Sequence, residues 1–210
     1  MAMSDIFVLL DDAQYPRGKT IISRVKIKTA NGLHWLTVPV KNGSRYGKIN
    51  DINIADDPNW QKKHWRTIEY SYQKAPYFEK YASGIKKVLM TDWQRLINLN
   101  AMLIRLMKDF LNIEAKVIFS SEISDPNLTG KEKIFNIIES LKADVYITGQ
   151  GQGSKRYINP DDFKERGIKL INQDFRHPVY PQMWGKFEQG LSIIDMLFNC
   201  GVEVTRKALA

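Results

Sequence analysis

Apolar positions along this chain change their period several times, and each change marks an element. Ile6–Leu10 is an unbroken apolar run ending in Asp11-Asp12, the pattern of a buried strand with two acids at its carboxyl end. Ile21–Lys28 alternates, with Arg24, Lys26 and Lys28 on one face and Ser23, Val25 and Ile27 on the other. Asn31-Gly32 is a turn signal and Trp35–Val40 reads as the returning strand, so a basic β-hairpin is expected over residues 20–41. The period then lengthens to that of a helix. Helices are expected over Trp60–Gln73, started by Asp57-Pro58 and stopped by Ala75-Pro76, over Tyr77–Met90, and over Asp92–Leu111. In the last of these, Leu96, Leu99, Leu103, Leu106, Phe110 and Leu111 recur at helical spacing, a stripe that belongs to a core.

The second half alternates between the two periods. Lys116–Phe119, Val145–Thr148 and Ile168–Asp174 read as strands. Lys131–Leu141 and Asp161–Arg166 read as the helices that separate them, the second opened by Asn159-Pro160 and closed by Gly167. Leu191–Asn199, closed by Gly201, is the final helix. A β-α-β-α-β order implies parallel strands with right-handed crossovers. The expected fold class is therefore α/β: one domain over residues 1–210 with a mainly parallel sheet flanked by helices. The hairpin is an insertion in it, and residues 60–112 are a helical segment.

Charge adds a location to this plan. The chain of 210 residues carries a formal net charge of +8. All of that excess lies before residue 106. From Asp12 to Asp51 no acid occurs, while Arg17, Lys19, Arg24, Lys26, Lys28, Lys41, Arg45 and Lys48 do. Such a stretch attracts an anionic partner. A small phosphorylated molecule or a membrane surface fits it, whereas nucleic acid would call for a recognition motif that the chain lacks. A merely solvated basic face, or an edge strand guarded by lysine, accounts for the same residues. The single cysteine, Cys200, rules out an internal disulfide and cysteine-based zinc clusters and fits a reducing compartment. No apolar run is long enough for a membrane span and the N-terminus lacks a basic signal-peptide region, so a cytoplasmic location is expected.

The stretch VYITGQGQGSKRY, Val145–Tyr157, is the most suggestive chemically. Gly149, Gly151 and Gly153 follow a strand and let the backbone approach a ligand, with its N–H groups forming an anion nest. Lys155, Arg156 and Tyr157 add two cations and a phenol. The spacing satisfies neither the dinucleotide fingerprint nor the Walker A pattern. A plain surface loop is the competing reading. Strand ends offer further polar groups: Asp11, Asp12 and Gln14; Ser120 and Ser121; Asp174 and His177. Convergence of such groups at strand ends is the default site hypothesis. His177, in a loop before Pro178, and His64, on a helix, are the acid–base candidates, with Asp174 or Asp11 as orienting carboxylates. The spacings of His, Asp and Glu match no metal motif, so neither a metal nor a cofactor is expected. Asp195, inside the apolar run Ile193–Phe198, must be hydrogen-bonded and either ties the last helix to the sheet or reaches the site.

Six stretches in order, SDIFVLLDDAQY, WLTVPV, KKHWRTIEYSYQKAPYF, YITGQGQGSKRYI, HPVYPQ and LSIIDMLFNCG, resemble the WbqC-like family over nearly the whole chain. Members of that bacterial family often occur among functions for surface polysaccharide and O-antigen biosynthesis. The resemblance implies a cytoplasmic transferase, with glycine, another aminoacyl group or an acyl group passing to a nucleotide-linked amino sugar. A non-catalytic binding protein of the same pathway is the alternative. On this reading Asp11, Asp12, Gln14 and Ser120 orient sugar or ribose hydroxyls. Arg24, Lys26 and Lys155 meet phosphates, Gly149, Gly151 and Gly153 donate backbone N–H groups, and His64 or His177 is the general base. Tyr157 and Tyr180, the latter within HPVYPQ, complete the expected ligand set. Family members usually carry a further strand-bearing segment before the equivalent of Ser4-Asp5, which is where this chain begins.

Overall fold

The computed structural model describes residues 1–149, 151 and 157–209. Its strands are β1 (Ile6–Leu9), β2 (Arg24–Thr29), β3 (Gly32–Thr37), β4 (Lys116–Phe119), β5 (Val145–Thr148) and β6 (Lys169–Asn172). Its helices are α1 (Trp60–Tyr72), α2 (Phe78–Met90), α3 (Leu96–Phe110), α4 (Gly130–Ser140), α5 (Pro160–Glu165) and α6 (Ile193–Lys207). The α/β class is as expected. β1 pairs in parallel with β4, Leu9 opposite Phe119, and β5 in parallel with β6, Thr148 opposite Asn172. β2 and β3 form the antiparallel hairpin, from Arg24 opposite Thr37 to Thr29 opposite Gly32. Among the described residues each of these ladders has two strands. No described helix is long and apolar enough to cross a membrane.

The chain divides into two compact units. The first takes in residues 3–13 and 115–176, and the second residues 14–114 and everything from His177 onward.

In the first unit the core is built on Phe135 and Ile138 of α4 with Phe163 of α5 and Ile168. Phe163 is 1 % exposed, with the Phe135 ring 4.8 Å away and the Tyr146 ring stacked at 5.4 Å. α5 is short and therefore depends on its ends. Asn159 accepts a hydrogen bond from the Asp161 N–H at 3.3 Å, Pro160 takes the first helical position, and Asp161 and Asp162 face the positive end of the helix. Gly167 ends it at φ 68°.

The second unit packs α1, α2, α3 and α6 with the hairpin. Ile27 of β2, Trp65, Ile68 and Tyr72 of α1, Phe78 and Ile85 of α2, and Leu197 and Phe198 of α6 share one cluster. Tyr15, Ile52, Trp60, Leu96 and Leu99 form another. α3 starts at Leu96, where its apolar stripe begins, and not at the expected Asp92. Gln94 accepts from the Ile54 N–H at 3.0 Å, Arg95 bridges to Asn53, and the Trp93 indole donates to the Val88 carbonyl at 2.7 Å. Those backbone groups are engaged elsewhere before the helix can use them.

Gly201 closes the first helical run of α6, as expected, with a non-helical backbone at φ 73°. A second run follows across the kink, and its Thr205 donates to the Gly201 carbonyl at 2.7 Å. The kink leaves room for Tyr77, whose ring would lie 2.8 Å from any Cβ at this position. Both the left-handed backbone and the close ring demand glycine. Gly201→Ala should therefore cost about 1–3 kcal/mol, through overpacking and backbone strain together. Urea denaturation with an unchanged m-value checks this.

Candidate functional site

At the carboxyl ends of β1 and β4 the first unit gathers charge out of solvent. Because Leu9 lies opposite Phe119, the turn carrying Asp11 and Asp12 and the single 3-10 turn Ser120–Glu122 leave the ladder at the same end. Asp11 is 5 % exposed, Asp12 7 % and Ser120 fully buried. The Ser120 hydroxyl is within donating distance of both carboxylates, 3.1 Å from Asp11 Oδ1. Ser121 donates twice to Asp11, from its backbone N–H at 3.0 Å to Oδ1 and from its hydroxyl at 2.6 Å to Oδ2. The Lys133 ammonium, reaching from α4, pairs with Asp12 Oδ2.

Burial alone would raise the Asp12 carboxyl, but the hydrogen bonds from Lys133 and Ser120 and the lysine charge outweigh it and hold Asp12 below the usual carboxylate range. Two carboxylates, two hydroxyls and one ammonium make up the cluster. Its chemistry is that of fixed acceptors at a strand-end rim, the place where parallel α/β arrangements bind ligands. Asp11, Asp12 and Ser120, expected to converge, do so. Lys133 is the member that sequence reasoning missed. The available signal was a lysine four positions before Ile137 on the inward face of α4, where both are buried.

Gly149 and Gly151 follow β5 and are exposed. A Cβ at Gly151 would meet nothing within 4 Å, so the fold itself does not need glycine there. Gly153 and Lys155 lie outside the described residues. Tyr157 is 42 % exposed, its ring against Gly130, which takes φ 56°. The Asp174 carboxylate accepts from Arg176 at 3.3 Å on an exposed surface.

In the second unit, His177 is exposed. Gln14 commits its amide to the carbonyls of Tyr46 and Gly47, at 3.0 and 2.9 Å, and so fastens a loop. The Arg24 guanidinium lies 3.9 Å above the Trp35 ring. Lys26 is half-buried and accepts, through its carbonyl, from the Ser192 N–H at 2.7 Å.

Tyr180 belongs to a second buried network, centred on Asp195. That carboxylate has no solvent exposure. The Tyr72 hydroxyl donates to Asp195 Oδ2 at 2.7 Å and accepts from the Lys28 N–H at 3.2 Å. Asn199 donates to the Asp195 carbonyl at 2.7 Å. Burial pushes the Asp195 carboxyl up, against hydrogen bonds from Tyr72, Tyr180 and Asn199 and the charge of Lys28. Burial beside this carboxylate likewise raises both phenols, so they remain protonated donors. Asp195 thus ties α6 to helix α1 rather than directly to a strand as expected; the hairpin joins through the Tyr72 hydroxyl.

His64 packs edge-on against Trp60 at 5.2 Å. Burial lowers its pKa from 6.5 to about 4, with His34 adding to the effect and a backbone hydrogen bond at Thr37 opposing it. At neutral pH its ring is uncharged and weakly basic. Among the described residues, no three of His, Cys, Asp and Glu are grouped to hold a metal ion.

A model of the WbqC-like protein family matches residues 1–207. A protein of Mycobacterium tuberculosis (strain ATCC 25618 / H37Rv), named Uncharacterized protein Rv1507c, is 31 % identical over 208 residues, covering 97 % of this chain and 87 % of that one. No solved structure matches.

Two outcomes follow from these charges. The fold holds His64 neutral, so the unfolded chain binds the extra proton below pH 6.5, and stability falls as pH drops from there toward 4. The loss should reach about 2 kcal/mol by pH 5, and His64→Gln should remove most of that slope in urea titrations across this range. Lys133→Met strands a buried carboxylate and should cost about 3–5 kcal/mol at neutral pH. The double variant with Asp12→Asn should recover a large part, which a double-mutant cycle measures.

Proposed function

The chain belongs to the WbqC-like protein family, and on that premise we propose that it is a cytoplasmic transferase of bacterial surface polysaccharide synthesis. It would pass an aminoacyl or acyl group to the amine of a nucleotide-linked sugar. The observation that supports this reading is the Asp11–Asp12–Ser120–Ser121–Lys133 cluster at the carboxyl ends of paired parallel strands.

The internal hydrogen bonds hold Asp11 and Asp12 in one geometry before any ligand arrives. A preorganised acceptor loses little freedom on binding, which suits it to orienting sugar hydroxyls. Gly149 and Gly151 supply backbone N–H groups for the anionic diphosphate. In the transfer the sugar amine attacks the carbonyl carbon of the activated acyl group, a C–N bond forms, and the leaving group departs with the electron pair. The amine proton passes to a base.

A second reading, a non-catalytic carrier of the same ligand, is favoured by one feature: the cluster's carboxylates already have partners within the protein. The two readings separate in one assay. The purified chain is titrated with nucleotide amino sugars, then incubated with them and activated acyl donors, and the product mass is recorded. Binding with an acyl-bearing product supports the transferase, and binding without any product supports the carrier. Absence of binding overturns both. Gly151→Val adds a local check. The open space around Gly151 should leave the melting temperature nearly unchanged while the new side chain obstructs the ligand, so affinity should fall several-fold. Unaltered binding by folded Gly151→Val would remove the glycine stretch from the site.

A further inference from the structure

The second unit contains a buried cation whose hydrogen-bond acceptors are both neutral. Lys28, on the hairpin strand β2, is 3 % exposed. Its ammonium donates to the Gln182 side-chain oxygen at 3.1 Å and to the carbonyl of Lys186. Both acceptors are neutral, and an ammonium has three N–H donors. No carboxylate of a described residue forms an ion pair with it. The Asp195 charge is felt at a distance, but Asp195 directs its own bonds to Tyr72 and Asn199. A buried charge in this condition is costly unless something completes it.

The same lysine lines a cleft of about 360 Å³, together with Thr29, Leu33, Trp184, Lys186 and Glu188. That volume lies within the range of small-molecule sites. The wall opposite the hairpin is held in shape. Gln182 accepts from the Glu188 N–H at 2.9 Å and donates to the Glu188 carbonyl at 2.8 Å, closing the loop 182–188 on itself. Trp184 takes φ 63°, a strained value for a tryptophan, and its indole is anchored to the Ser71 carbonyl at 2.8 Å. Strain held in place beside a cavity is characteristic of binding sites.

We propose that this cleft binds a small organic carboxylate carrying a hydroxyl group. The carboxylate would take the remaining N–H of Lys28 and the field of Lys186. Glu188 would accept from the hydroxyl, and Leu33 and Trp184 would cover the carbon skeleton. A phosphate dianion fits less well. It needs several donors, Arg does not line the cleft, and Glu188 would repel the second charge. The proposal concerns the second unit alone and does not depend on the transferase reading.

Thermal shift and calorimetric titration with lactate, acetate and inorganic phosphate test it on the whole chain. Lactate should raise the melting temperature in a concentration-dependent way, acetate less so, and phosphate least. Lys28→Met should weaken lactate binding by about tenfold or more. Because that variant touches a buried group, Lys186→Met provides a check that leaves the Lys28 bonds intact: it should weaken binding several-fold and steepen no melting transition. Glu188→Gln should narrow the difference between lactate and phosphate. Absence of any lactate-dependent shift, a phosphate response equal to that of lactate, or full lactate affinity in Lys186→Met would each overturn the proposal.

Discussion

Asp12 sits at 7 % exposure with its carboxylate against the Lys133 ammonium and the Ser120 hydroxyl. A carboxylate so far from water must have partners, and the first unit is arranged to supply them. The parallel register of β1 and β4 brings Ser120 and Ser121 alongside Asp11 and Asp12. α4 must run with Lys133 inward, although its neighbours Phe135, Ile137 and Ile138 make an otherwise apolar face. This constraint selects one pairing and one helix orientation among those that hydrophobic burial alone would allow.

The second unit solves a similar problem around Asp195, with phenols in place of a close cation. Tyr72 donates to the carboxylate and accepts from the backbone of Lys28, so α1, β2 and α6 meet at one hydroxyl. Replacing Tyr72 by Phe would keep the ring contact with Phe198 at 5.4 Å but remove both bonds. The two networks differ in their cations. Asp12 has an ammonium directly on it, whereas the Lys28 ammonium donates to neutral acceptors and lines a cleft.

Periodicity carried most of the fold. The α/β class, the presence of the hairpin, the capping of α5 by Asn159 and the long stripe of α3 were all readable, because each depends on neighbours in sequence; the turn itself falls one residue earlier than expected, at Ala30-Asn31, so that Gly32 already pairs with Thr29. What was not readable depends on partners far along the chain. Strict alternation places Lys28 with Arg24 and Lys26 on a cationic face, yet residues 182–186, more than 150 positions later, cover it. Glycine after a helix suggests a stop, yet Tyr77 fits against Gly201 and the helix resumes. In the candidate site, Asp11, Asp12 and Ser120 were legible from their strand-end positions. Lys133 was hidden because a lysine near a helix start looks solvated until the carboxylate opposite it is known.

The central claim is that the strand-end rim of the first unit is where an anionic sugar ligand binds. Amide hydrogen exchange of the whole chain, with and without a nucleotide amino sugar, tests this most directly. The account predicts slowed exchange in peptides spanning residues 10–14, 120–124 and 148–151, with the helices of the second unit little changed. Protection confined to the second unit, with those three peptides unaffected at saturating ligand, would contradict it.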